Sequence, residues 1–137
     1  MIGIVIVAHG GLAHELLAAT EHVVGKLDGA RAIAIHPQDD LRARQEEVAA
    51  AAEAVDSGDG VALVTDMFGG SPSNLAMGAL SRPMAEVIYG ANLPLLVKLA
   101  KSRHLPLDEA VGLSLAAGRK YLDSAGGILA ARRRAQA

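Results

Sequence analysis

Met1-Ile-Gly-Ile-Val-Ile-Val-Ala-His9-Gly-Gly11 opens the chain and decides how the rest is read. Aliphatic residues run from Ile2 to Ala8 with only Gly3 among them, and the run stops at a histidine and two glycines. A short apolar run bounded by glycine reads as a strand buried on both faces. In an open α/β sheet, function collects beyond the carboxyl ends of the strands. His9 therefore stands where such a fold does its chemistry, with a permissive backbone directly behind it.

Outward from this strand, the pattern alternates. Residues 11–26 carry Leu12, Leu16, Leu17, Thr20, Val23, Val24 and Leu27 on one helical stripe, with His14, Glu15, Glu21 and His22 on the other side. Residues 31–36 read as a second strand, followed by Pro37. Asp39 and Asp40 suit a helix start, and the Ala-rich residues 40–56 continue it. Residues 61–65 form a third buried strand ending at Asp66. After the Met67-Phe-Gly-Gly loop, Ser71 is expected to cap a short helix, with Pro72 as its first residue. Residues 84–89 make a fourth strand, and Asn92 caps a helix running to about residue 103. Residues 107–117 look helical, with Gly118 as a stop. Residues 119–125 fit either a short edge strand or more helix, and Arg132-Arg-Arg134 reads as a frayed, solvated end.

Strands alternating with helices imply right-handed crossovers and a mostly parallel sheet covered on both faces. The expected class is α/β, flavodoxin-like and doubly wound, in the order 2-1-3-4, with a possible antiparallel edge strand at the C-terminal end. In that order strands 1 and 3 are neighbours, and the crevice opens between their ends. His9 and Asp66, 57 positions apart, should face each other across it.

The totals narrow the function. With 137 residues the chain suits one domain, residues 1–137. Its core must be aliphatic, because Phe68, Tyr89 and Tyr121 are the only aromatic residues. A net charge of −2 does not suggest a generic nucleic-acid surface. The lack of cysteine excludes disulfides and thiolate catalysis. The amino terminus lacks the basic flank of a signal peptide, and no stretch approaches the ~20 apolar residues of a membrane span. The expectation is a soluble cytoplasmic protein.

An imidazole is a good nucleophile when one nitrogen holds its proton and the other offers a lone pair. A carboxylate accepting the ring N–H fixes that state and stabilises the positive ring that follows. Asp66 can do this for His9. Helices beginning after Gly10-Gly11 and at Ser71-Pro72 would present free N–H groups to phosphoryl oxygens. Gly10, Gly11, Gly69 and Gly70 would let backbone approach the group, and Ser71 would add a hydroxyl. Neither loop contains Lys or Arg, and no carboxylate cluster offers a Mg²⁺ site. The residues therefore suggest a phosphoryl group held on His9 by neutral donors, without metal or cofactor.

Three stretches together resemble a known family: Ile-Val-Ile-Val-Ala-His9-Gly, then Asp66-Met-Phe-Gly-Gly-Ser-Pro72-Ser-Asn, then Gly90-Ala-Asn-Leu-Pro94. They look like the mannose-type enzyme IIA (mannose/fructose/sorbose family) of the bacterial phosphoenolpyruvate:sugar phosphotransferase system (PTS), over roughly residues 1–125. The resemblance implies a phosphotransferase whose His9 takes a phosphoryl group from phospho-HPr and passes it to a IIB partner. It implies Asp66 as the orienting acid, with Ser71 and nearby amides holding the phosphoryl. It further implies a homodimer, in some relatives exchanging a C-terminal edge strand, for which residues 119–125 are the candidate. Association with a membrane IIC/IID complex would follow. No IIB domain is fused to this sequence, which leaves both sugar transport and a regulatory phosphorelay open.

His36 also ends a strand, but strand 2 lies away from the switch point, so a plain structural role is expected there. His14, His22 and His104 read as surface residues. Phe68 is either core or a partner-docking side chain. A class II tetrapyrrole chelatase also ends its first strand in Ala-His-Gly, but needs another ligand, for which His104 is the only loose candidate. A receiver-like switch on Asp66 would need an acidic pair where Ala8-His9 stands. A non-catalytic module read out by its phosphorylation state differs in consequence, not in chemistry.

Overall fold

The computed structural model describes residues 1–137. Four strands, β1 (Gly3–His9), β2 (Ala30–Ile35), β3 (Val61–Thr65) and β4 (Ala85–Ile88), form one parallel sheet in the order β2-β1-β3-β4. The helices are α1 (Leu12–Val24), α2 (Leu41–Val55), α3 (Ser71–Met77), α4 (Leu93–Lys101), α5 (Leu107–Lys120) and α6 (Ala125–Gln136). A 3₁₀ turn, Gly78–Ser81, follows α3 before Arg82 and Pro83.

The alternation of side chains along β1 divides the core in two. Ile4, Ile6 and Ala8 face α1, α4 and α5, packing on Ala13, Leu95, Leu96, Leu99 and Ala110. Val5 and Val7 face α2 and α3, packing on Val48, Ala52, Val55, Leu75 and Ala76. A strand with both faces covered needs no polar alternation, which is why its sequence is almost continuously aliphatic. Asp40 and Asn92 cap α2 and α4 as expected, accepting from the Arg42 and Leu95 amides at 3.0 Å each.

Several expectations need correction. Residues 119–125 form no edge strand: α5 continues through Lys120, and a short coil leads into α6. Gly118 does not stop α5. A glycine ends a helix by turning left-handed, and Gly118 does not. It is buried where α5 crosses α4, a Cβ there would lie 3.1 Å from Leu95 Cβ, and its carbonyl accepts from Asn92 Nδ2 at 2.9 Å. Arg132-Arg-Arg134 lies within α6 rather than in a frayed tail. Ser124 caps that helix through the Gly127 amide, and Gly126 and Gly127 belong to its first turn. In α1, Leu12 and Val23 point outward and Ala13 is buried in their place, while Thr20 of the expected stripe is buried and Leu16 and Leu17 pack against the core.

Candidate active site

His9 is the last residue of β1, and Asp66 directly follows β3. The register pairs Val7 with Thr65, so the two chains leave the sheet side by side. The His9 ring Nδ1 lies 2.8 Å from Asp66 Oδ2, and the His9 backbone N–H donates to that same oxygen at 3.0 Å. Asp66 Oδ1 accepts from the Met67 amide at 3.0 Å. Both carboxylate oxygens are thus engaged, and the acid has little freedom to turn.

The electrostatics agree with this arrangement. Burial in the crevice works to raise the Asp66 carboxyl. The His9 amide, the His9 ring hydrogen bond and the charge on that ring outweigh it, so the group lies below its ordinary value of 3.8. An ionised Asp66 accepts from Nδ1–H and thereby selects the tautomer. The lone pair is then on Nε2, which has no partner within the protein, and half of the His9 side chain is exposed.

The glycine loops divide into two kinds. Gly10 takes a left-handed backbone, φ +57°, and its N–H donates to the Ile35 carbonyl at 2.8 Å, tying the end of β1 to β2. The Gly69 N–H is taken by Ser73 Oγ at 2.9 Å. The amides of Gly11 and Gly70 have no acceptor within the chain. Gly70 also backs the imidazole, where a Cβ would come within 2.8 Å of His9 Cε1 and 3.0 Å of Nε2.

Ser71 is not the cap of α3. Gly70, in extended conformation, takes that position, Ser71 begins the helix, and Pro72 is its second residue. The Ser71 hydroxyl makes no capping bond and lines a cavity of about 400 Å³ together with His9, Gly10, Ile35, His36 and Pro37. Ser73, which no sequence signal singled out, braces the loop. It is buried, accepts from Gly69, and donates to the Gly70 carbonyl at 3.1 Å. Two serines flank Pro72, and local propensity alone does not tell which one bonds back to the loop.

His36 is the other correction. It does not lie away from the site. Residue by residue, β1 pairs with β2 so that His9 sits beside Ile35, which brings His36 to the same cavity. His104 goes the other way. It lines a larger cavity of about 530 Å³ with Asp59, Met84, Leu105, Pro106, Leu107 and Asp108. Asp59 and Met84 precede β3 and β4, so this cavity lies at the amino end of the sheet, far from His9. The chelatase reading loses its one loose ligand by that placement. His14 and His22 are exposed on α1. Phe68 is not core: it is 73% exposed and meets Tyr89 edge-on, with ring centroids 5.0 Å apart.

Comparison with known proteins shows the family and the fold. Residues 3–112 match the EIIA-man family, described as "PTS system fructose IIA component". The chain belongs to that family. It is 33% identical over 122 residues to the "PTS system mannose-specific EIIAB component" of Escherichia coli strain K12, an alignment covering 87% of this chain and 38% of that protein. The chain thus spans well under half the length of the curated relatives it matches. Among solved structures, a mannose/sorbose specific IIA subunit from Enterococcus faecalis superposes with a TM-score of 0.80 at 28% identity, covering 90% of this chain and 93% of the other. A PTS IIA protein associated with the fucose utilization operon of Streptococcus pneumoniae gives 0.78 at 27% identity, covering 93% and 95%. IIA components of this kind are phosphotransferases in general. No helix of this chain is long and apolar enough to cross a membrane.

Proposed function

We propose that this IIA protein is a phosphocarrier that accepts a phosphoryl group from phospho-HPr on Nε2 of His9 and passes it to a IIB partner. The observation that carries the reading is the 2.8 Å contact between Nδ1 and Asp66, which leaves Nε2 as the free nucleophile. In the transfer, the Nε2 lone pair forms the new bond to phosphorus. The donor's N–P bond breaks, and its electron pair returns to the donor nitrogen. Nδ1 keeps its proton, so the product ring is positive and faces the Asp66 carboxylate. The unpaired amides of Gly11 and Gly70 and the Ser71 hydroxyl are offered to the phosphoryl oxygens. Gly10 and Gly69, whose amides are engaged, shape the loops around them.

Residues 1–137 act as one IIA domain in this reading, working in the cytoplasm either in sugar uptake with membrane IIC/IID components or in a regulatory phosphorelay. Exposed Phe68 and Met67, beside Asp66, suit contact with the protein partners. A homodimer is part of the reading.

The test is incubation with phosphoenolpyruvate, enzyme I and HPr, with the phosphate mapped by mass spectrometry. One acid-labile phosphate on His9, absent from His9→Ala, is the expected result. Equal labelling of His9→Ala would overturn the reading.

A further inference from the structure

We propose that His36 is a second phosphoryl-contacting residue of this site, its imidazole N–H donating to an oxygen of the group carried on His9. This rests on the reading of His9 as the phosphoryl acceptor.

Three observations converge on His36. First, the cavity beside His9 is lined by six residues, and His36 is the only ionisable side chain among them other than His9. The loops around Nε2 contribute no Lys or Arg, and α3 contributes no ionisable side chain at all. A phosphoryl group there meets amides and one hydroxyl from the glycine loops, and His36 is the one further donor able to carry charge. A charge-assisted hydrogen bond to a phosphoryl oxygen is roughly twice as strong as a neutral one.

Second, the position of His36 follows from the sheet. The Gly10 N–H bond to Ile35 and the pairing of His9 with Ile35 lock the two strand ends together. His36 is the next residue on β2's side, as Gly10 is on β1's.

Third, its backbone is stiff. The His36 carbonyl accepts from the Asp39 N–H at 3.1 Å, closing a β-turn with Pro37 at its second position. In return the His36 N–H donates to Asp39 Oδ2 at 2.9 Å. The turn uses only the backbone of His36, so its ring is free of structural work and exposed at the cavity. A donor held on a rigid turn loses little freedom on engaging its acceptor, which favours stabilisation of the transferring group. No bond to His36 is made or broken in the transfer: it donates a hydrogen bond and retains its proton.

The test uses the full chain and two phosphoryl donors, phospho-HPr and the small molecule phosphoramidate, whose P–N bond breaks to release ammonia. Wild type, His36→Ala and His36→Gln are compared. The melting temperature should not change, because the ring holds no fold contact. His36→Ala should lower kcat with either donor by about 10-fold with little change in KM, and His36→Gln, which keeps an N–H, should recover most of it. In wild type, the ¹⁵N signals of the His36 ring should shift when His9 becomes phosphorylated. If His9 is phosphorylated normally in His36→Ala and the His36 ring signals stay still, this proposal is overturned while the phosphocarrier reading stands. If His9 takes a phosphoryl group from neither donor, both are overturned.

Discussion

The two ends of the sheet treat their polar groups in opposite ways. At the amino end most strong donors are used, the buried Nε of Arg82 excepted. Arg103 is buried, with Nε donating to the Ile2 carbonyl at 2.7 Å and a terminal nitrogen to the Gly29 carbonyl at 3.3 Å. Burial pushes its guanidinium down, and the Asp28 charge partly restores it. Asp56 accepts from Gly58 and Arg82, and the terminal amine is held by Ser57 and Asp59. At the carboxyl end, His9 Nε2, the amides of Gly11 and Gly70 and the Ser71 hydroxyl are left open. A buried polar group without a partner costs free energy, so open donors gather where solvent or a ligand reaches them. One end closes the fold, and the other leaves its donors open.

That contrast can be broken by substitution. The largest effect is expected from Asp66→Asn. Removing the negative charge frees the ring to place its proton on Nε2 and leaves the positive product ring uncompensated. Phosphoryl transfer to His9 should fall by about 100-fold, read as the rate of phosphate incorporation. An unchanged rate would mean that Asp66 does not set the tautomer.

At the other end, Arg103→Leu should lower stability by about 2–3 kcal/mol, because two carbonyls lose a charged donor. Urea unfolding measures this, and the phosphorylation rate of the folded protein should not move. A loss of transfer without a loss of stability would contradict the division between the two ends.

The smallest effect is on pH dependence. The Asp66 and Asp56 carboxyls both lie below their ordinary values in the folded chain. For Asp66, burial is outweighed by His9; for Asp56, the Gly58 amide and Arg82 lead. The unfolded chain therefore binds more protons at low pH. The stability these groups contribute is present above their unfolded pKa and is lost as pH falls below about 4. In urea midpoints measured from pH 7 to pH 3, Asp66→Asn and Asp56→Asn should each converge on the wild type at the acid end.

Much of the site was legible before any coordinates. Once β1 and β3 were recognised as buried strands, parallel topology alone placed Asp66 beside His9. His36 was not legible, because its relation to His9 depends on the β1–β2 register, which no short window encodes. Distance from the switch point misjudged it, since β2 borders β1 on the side away from β3 and its carboxyl end opens onto the same cavity. The choice of Ser73 over Ser71 as the loop brace was hidden for a similar reason: both have the right chemistry, and only the path of the backbone at Gly70 decides which hydroxyl turns inward.

By itself, then, the order of residues determined most of the strands and helices, and that a histidine ends the first strand where an acid from the third can reach it. These follow from periodicity, capping and breaker residues, all properties of neighbours along the chain. Tertiary structure alone decided that α5 runs through Gly118, that residues 125–136 form a helix rather than following an edge strand, and that His36 and Ser71 share one cavity with His9. Those outcomes depend on packing and register between segments far apart in sequence, where a difference of one residue in pairing moves a side chain to the opposite face of the sheet.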